Sequence, residues 1–321
     1  MFNRQLGRSG IKVSAMGLGC WAIGGPAWVG GHAVGWGKVD DEESIRAIHR
    51  ALELGVTFFD TADVYGCGHS ERILGKALAG RRADVVIASK FGRVFVEETR
   101  EITGSDASPE HIRKACDASL KRLGVDYIDL YQFHLGDWDI GAGETVRDTL
   151  EELCKTGKIR SYAWSTDDTE RAGIFAEGRN CTAVQHRLNI FQRNDAMVEL
   201  CEEFNLASVN RSPLGMGLLT GKFNAKSKLP DDDVRSSWNF KEGRLADGLQ
   251  AVDALREVLT RGGRTLAQGA LGWLWAHSDA TIPIPGFKTV AQIEENIGAA
   301  KFGPLKVDQM REIERILERM K

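Results

Sequence analysis

The sequence predicts an α/β chain closed as a single (β/α)8 TIM barrel over residues 1–321, with an N-terminal β-hairpin as its plug. Three observations carry this. Short apolar, strand-like runs alternate with amphipathic helical stretches along almost the whole chain, as parallel βα units around one core require. No Pro- or Ser-rich linker interrupts that alternation. Finally, three consecutive runs end on ionisable residues, Asp60, Lys90 and His134. In such a barrel they reach one mouth, because the active face is built from the C-terminal strand ends and the loops after them.

Each element has its own signal. Turn residues between short alternating runs predict the plug hairpin over 4–16. The first barrel strand follows over 16–20, and then a glycine-rich loop carries Trp21, Trp28 and Trp36, a candidate substrate wall. Asp40, Asp41 and Glu42 place negative charge at a helix N-terminus, with an apolar stripe of Ile45, Ile48, Ala51 and Leu52 before Gly55. The second strand ends at Asp60, a helix opens at Ser70, and the third strand, 85–89, delivers Lys90. Ser108 as cap and Pro109 in the first turn start a helix that stops at Gly124. The fourth strand ends at His134, a helix covers 145–153, and strands five to eight fall at 159–164, 182–185, 206–210 and 281–284. A charged amphipathic helix begins at Val307.

Composition narrows the function. A formal net charge of -3 gives no electrostatic case for binding nucleic acid or an anionic membrane. The segment at Met1 lacks the apolar core of a signal peptide and no run is long enough to span a bilayer, so a cytoplasmic protein is expected. The six cysteines show no CxxC spacing, so neither a metal site nor a disulfide framework is expected. Cys67 stands apart, close to Tyr65 in the loop after the second strand.

The strand-end residues suit proton transfer. A lysine ammonium beside a tyrosine favours the phenolate, and a nearby carboxylate keeps the lysine charged. Tyr65 then acts as a tunable general acid while His134 orients a carbonyl oxygen, which suits carbonyl reduction if a hydride is supplied.

The segments Phe59-Asp60-Thr61-Ala62-Asp63-Val64-Tyr65-Gly66, Ser70-Glu71-Arg72-Ile73-Leu74-Gly75, Ser89-Lys90 and Tyr131-Gln132-Phe133-His134 resemble the aldo-keto reductase superfamily, in its bacterial-type NADPH-dependent form. The resemblance runs from the opening hairpin to Asn296 and implies a (β/α)8 barrel that interconverts carbonyls and alcohols with NADPH/NADP, NADH being the alternative. It implies Tyr65 as proton donor, Lys90 and Asp60 as its tuning pair, and His134 as the residue positioning the substrate oxygen. It implies that Ser165 and Gln185 hold the nicotinamide carboxamide, with Arg211 where relatives often place a stacking aromatic. The loop 212–222, with Ser212, Leu214, Gly217 and Lys222, would cover the pyrophosphate. Gly286, Lys288 and Gln292 would meet the adenosine end, Lys288 as a 2'-phosphate contact, and Glu295 and Asn296 would bind the adenine.

This chain departs from the pattern in three places. Thr166 replaces the usual Asn after Ser165, Gln292 stands where many relatives have arginine, and Leu135-Gly136-Asp137-Trp138 replaces an aromatic and a proline. Trp21, Trp28, Phe91 and Trp138 are the candidate substrate-pocket aromatics. The expected partner is a small-molecule carbonyl substrate. Two other readings stand beside reduction: a Schiff-base aldolase using Lys90, and a cofactor-binding redox sensor or channel-associated subunit with slow turnover.

Overall fold

A computed structural model describes residues 1–320 of the chain. Eight parallel strands form one sheet in sequential order: Leu18–Gly19, Phe58–Asp60, Val86–Phe91, Ile128–Phe133, Ile159–Ser165, Cys181–Arg187, Ala207–Arg211 and Thr281–Pro283. The sheet closes on itself: Gly17 and Gly19 donate their amides to Pro283 and Pro285 at 3.0 Å, and Gly19 bridges Gly286 in parallel. This is the expected (β/α)8 barrel.

Side chains two apart on a strand share a face, and that rule sorts the barrel interior into layers. Phe58, Ala88, Leu130, Ala163, Ala183 and Val209 form the lower, apolar layer. One step up, on the same inward face, stand Asp60, Lys90, Gln132, Ser165, Gln185 and Arg211. The intervening residues, including Phe91, Phe133, Trp164 and Val184, pack outward into the larger core shared with the helices.

The hairpin Asn3–Gln5 with Lys12–Ser14 pairs antiparallel and seals the lower end. Leu6 and Val13 join the lower layer and are fully or almost fully buried. Truncating Leu6 to Ala there costs about 2–5 kcal/mol, because the barrel floor cannot collapse onto the gap. At the opposite wall the indole of Trp275 donates to Ala15 O at 2.8 Å, tying the late helix Leu266–His277 to the start of the barrel.

The cap signals act as read. Asp40 Oδ1 accepts from Glu43 N at 3.0 Å to start Asp41–Glu53, and Ser108 Oγ accepts from His111 N at 3.2 Å to start Pro109–Leu123, which ends at Gly124 in the left-handed region. The helix expected over 145–153 starts earlier, at Gly143. Helices Thr169–Ala176, Asp195–Glu203, Gly243–Thr260, Leu266–His277 and Val290–Gly298 complete the outer layer. Leu266–His277 is apolar on nearly every side and mostly buried, so it shows no periodic stripe to read.

The glycine-rich Trp loop is more ordered than expected. Its short strands Trp28–Val29 and His32–Ala33 join Glu101–Ser105 and Arg93–Val96 in a four-stranded sheet on the upper rim. Among the described residues, no helix is long and apolar enough to cross a membrane.

Candidate active site

The upper layer of the barrel opens into one large cavity of about 1000 Å³. At its base Lys90, wholly buried, spends its three ammonium protons on Asp60 Oδ1 at 2.5 Å, Thr61 O at 2.7 Å and Tyr65 Oη at 3.0 Å. The other Asp60 oxygen accepts from Gln132 Nε2 at 2.7 Å and Gln185 Nε2 at 2.8 Å. Asp60, Tyr65 and His134 line the cavity, and Lys90 sits beneath them. These four residues, from three separate stretches of sequence, therefore form one cluster.

Burial pulls the Lys90 pKa down, but Asp60 and Tyr65 outweigh it and hold it above its ordinary value. The amine stays charged at neutral pH. For Tyr65, burial raises the pKa and outweighs Lys90, which lowers it, while Asp60 adds to the rise. The expected net pull toward phenolate is thus corrected: at Tyr65 the desolvation of an anion costs more than one ammonium returns. Tyr65 rests as the phenol, which is the form a proton donor needs.

His134 N donates to Phe91 O at 2.9 Å, which fixes the residue at the rim, and its ring meets Tyr65 edge-on at 5.7 Å. Burial, then the charges of Lys90, Arg93 and Arg211, push its pKa well below the usual imidazole value. The ring is neutral, and its buried Nδ1 has no hydrogen-bond partner. An unpaired buried acceptor is better tolerated than an unpaired N–H, so the proton belongs on Nε2. Trp21 stacks on Tyr65 with ring centres 6.0 Å apart.

The pocket aromatics divide. Trp21 lines the cavity. Trp28 does not; it borders a smaller depression with Pro26, Lys38 and Arg100. Phe91 is fully buried against Tyr131 and Phe133, because it follows inward-facing Lys90 and must point outward. Trp138 packs edge-on to Phe133 outside the cavity, its carbonyl held by Arg171. Cys67, set apart by its place in the sequence, is buried and does not line the cavity, and burial pushes its thiol up to about 11.

The candidate cofactor residues Ser165, Gln185, Arg211, Ser212, Leu214, Gly217, Lys222, Gly286, Lys288, Gln292, Glu295 and Asn296 all line this cavity. Arg211 is ion-paired to Asp167, which anchors its guanidinium. In the loop after the seventh strand Ser212, Gly215, Met216, Gly217 and Gly221 all have positive φ, the backbone of an anion-cradling nest. At Gly217 (φ 99) a Cβ would stand 3.0 Å from Lys222 Cε and 3.1 Å from its Nζ, so the cradle has room for a ligand oxygen only because no side chain is there. Lys222 and Lys288 lie on this wall, and Lys288 Nζ donates to Trp36 O. Nest, lysines and a cavity of about 1000 Å³ fit a dinucleotide with a phosphorylated ribose.

Sequence reasoning did not single out Arg235. It pairs with Asp233 through two bonds of 2.8 and 2.7 Å, donates to Met216 O at 2.9 Å and lies 4.2 Å over the Trp36 ring. Val234 N donates to Gly35 O at 2.8 Å. The 222–244 segment therefore borders the cavity through Lys222 and Arg235 and fastens to the Trp loop. An Asp-x-Arg pair in a polar stretch carries no distinguishing sequence signal.

Comparison with known proteins agrees with this geometry. The model of the Aldo/keto reductase family matches residues 15–318. The chain is 33% identical over 308 residues to aldo-keto reductase yakc [NADP(+)] of Schizosaccharomyces pombe, covering 93% of this chain and 86% of that one. Among solved structures it resembles the glycerol dehydrogenase AKR11B4 from Gluconobacter oxydans, with TM-score 0.86, 31% identity and coverage of 99% and 95%. It also resembles the holo form of aldo-keto reductase AKR11C1 from Bacillus halodurans, with TM-score 0.81, 30% identity and coverage of 98% and 96%.

Proposed function

From the premise that the chain belongs to the aldo/keto reductase family, we propose that it is an NADP-dependent oxidoreductase reducing aldehydes or ketones to alcohols, with Tyr65 as the general acid. The observation that carries the reading is the contact of Tyr65 Oη with the charged, fully satisfied Lys90 at the base of a cavity large enough for a dinucleotide. When bound, the cofactor supplies a hydride to the carbonyl carbon. Tyr65 gives its proton to the carbonyl oxygen as charge develops there, and the Lys90 ammonium stabilises the phenolate left behind. His134, neutral with its proton on Nε2, donates a hydrogen bond that orients that oxygen. Asp60 holds Lys90 charged, and Gln132 and Gln185 hold Asp60.

Ser165 and Gln185 face the nicotinamide in this reading, the 212–222 loop and Lys222 the pyrophosphate, and Lys288 the 2'-phosphate. Residues 1–321 are proposed to work as one barrel domain, since the last strand closes on the first. The aldolase alternative is disfavoured because an amine held charged by three acceptors is no nucleophile.

NADPH fluorescence titration and absorbance turnover with a panel of aldehydes, for wild type and Tyr65→Phe, test the reading. Both proteins should bind NADPH, and Tyr65→Phe should lose about 10²–10⁴ in kcat. Binding without turnover in the wild type would favour a sensor. No binding would remove the cofactor assignment, and full activity in Tyr65→Phe would remove the role of Tyr65.

A further inference from the structure

The cavity wall carries five basic side chains, Arg93, Arg211, Lys222, Arg235 and Lys288, against two carboxylates, Asp60 and Glu295. Most of that charge has an owner. Arg211 is paired with Asp167 and Arg235 with Asp233, and Asp60 belongs to Lys90. Lys222 and Lys288 stand beside the nest and the adenosine end, where the proposed cofactor brings its phosphates. Arg93 is left over.

Its position is set by the barrel. The third strand ends at Phe91, whose carbonyl holds His134, and the chain turns at Gly92 (φ 123), whose carbonyl accepts from Asp106 N at 2.9 Å. Arg93 therefore opens the rim strand Arg93–Val96 beside His134. Its only side-chain bond is from Nη1 to Ser105 Oγ at 3.0 Å, and among the described residues no carboxylate lies within ion-pair distance. Arg93 is solvent-exposed and lines the cavity. The same cavity is lined by the apolar Trp21, Ala27, Val29, Val34 and Ile102, with His32 among them. The Arg93 charge is also among those that depress the His134 imidazole, which places it within electrostatic reach of the reacting oxygen.

We propose that Arg93 is a specificity-determining residue that pairs with a carboxylate on the substrate, so that the site favours aldehydes carrying a carboxylate over neutral aldehydes of similar size. The inference rests on the reductase reading and names its substrate class. An apolar wall with one unpaired guanidinium matches a carbonyl compound with a short hydrocarbon spacer and an anionic end. The planar fork of the guanidinium suits bidentate pairing with a carboxylate.

The test compares kcat/KM for 4-carboxybenzaldehyde and benzaldehyde with NADPH in wild type, Arg93→Gln and Arg93→Lys. Alongside it, benzoate binding to the NADP-bound protein is followed by quenching of tryptophan fluorescence, since Trp21 and Trp36 line the cavity. Wild type should prefer the carboxylated aldehyde by about tenfold to a hundredfold, the span of one charge-assisted pair. Arg93→Gln should abolish the preference through KM, weaken benzoate by the same factor, cost benzaldehyde far less than 4-carboxybenzaldehyde, and leave NADPH affinity within about twofold. Arg93→Lys should restore part of the preference. Equal loss on both aldehydes, unchanged benzoate binding, or a matching loss of NADPH affinity would each overturn the proposal, the last by assigning Arg93 to the cofactor. If benzoate binding depends on Arg93 while no aldehyde is turned over, the anion site stands and the reductase reading falls.

Discussion

Replacing Asp60 with Asn should turn the Lys90 ammonium from an asset into a liability, and the size of the effect follows from its surroundings. Lys90 is wholly buried and, among the described residues, its only anionic partner in direct contact is Asp60, at 2.5 Å. Without that partner, burial is left as the dominant influence and drives the lysine pKa down by about 3–5 units from about 10.4. At pH 7 the amine must then be neutralised on folding. Each unit between about 10.4 and pH 7 costs about 1.36 kcal/mol, or about 4.6 kcal/mol in total. With an unfolding entropy of about 2.1 cal/mol/K per residue, a chain of this length loses about 7 °C in Tm. The sign of the pH dependence also reverses. In the wild type the Lys90 pKa is raised, so its stabilisation is complete below the unfolded value and is lost as pH climbs through the folded one. In Asp60→Asn the folded pKa lies below the unfolded one, so stability rises with pH toward about 10.4. Scanning calorimetry from pH 6 to 10 reads both effects. Asp60→Asn combined with Lys90→Met should recover most of the lost Tm, since the neutral Asn and Met leave no ion to desolvate. A single variant that melts like the double one, or whose Tm does not rise with pH, refutes the reasoning.

Four further outcomes are expected. Gly217→Ala, forced to keep φ 99 with a methyl 3.0 Å from Lys222 Cε, should raise the NADPH Kd by about tenfold or more, because strain at such a position costs about 1–3 kcal/mol; an unchanged fluorescence titration contradicts the cradle. Lys288→Ala should cost NADPH about tenfold in affinity and NADH little, as expected for one charge-assisted phosphate contact; equal losses on both cofactors would place the lysine elsewhere. With the His134 pKa well below its ordinary value, kcat/KM for a neutral aldehyde should stay level as pH falls through about 6.5, the free-imidazole value; a break there would show a titrating His134. His186 is buried with its pKa lowered to about 4, so folding stability should be unaffected above about pH 6.5 and should fall by about 3 kcal/mol between there and pH 4. Urea unfolding of His186→Gln at pH 7.5 and 4.5 should show that slope removed.

Much of the barrel was legible because its signals are local. Ser108 with Pro109 and Asp40 with its acidic first turn mark helix starts through bonds that span only three residues. The run from Ile128 to Phe133 is strand-like wherever it packs, and the ionisable residue after such a run faces the mouth because all eight strands are parallel. The period of two also contained information left unused: Lys90 facing inward requires Phe91 to face outward, and the structure buries Phe91 in the helical layer.

The sequence by itself determined the eight-stranded plan, the hairpin floor and the order in which Asp60, Tyr65, Lys90 and His134 arrive at the rim, since each depends on residues near it in the chain. Only the tertiary structure decided the walls. Trp28 pairs with Glu101, 73 positions away, and so turns from the cavity. Trp36 is fastened beneath Arg235. Arg93 bonds to Ser105 Oγ instead, and among the described residues no carboxylate lies within ion-pair distance of it. The balance between burial and the Lys90 charge at Tyr65 belongs to the same class. A strand end needs only its own run of residues, whereas a pocket wall or a pKa is a sum over neighbours that distant segments supply, and no local pattern encodes that sum.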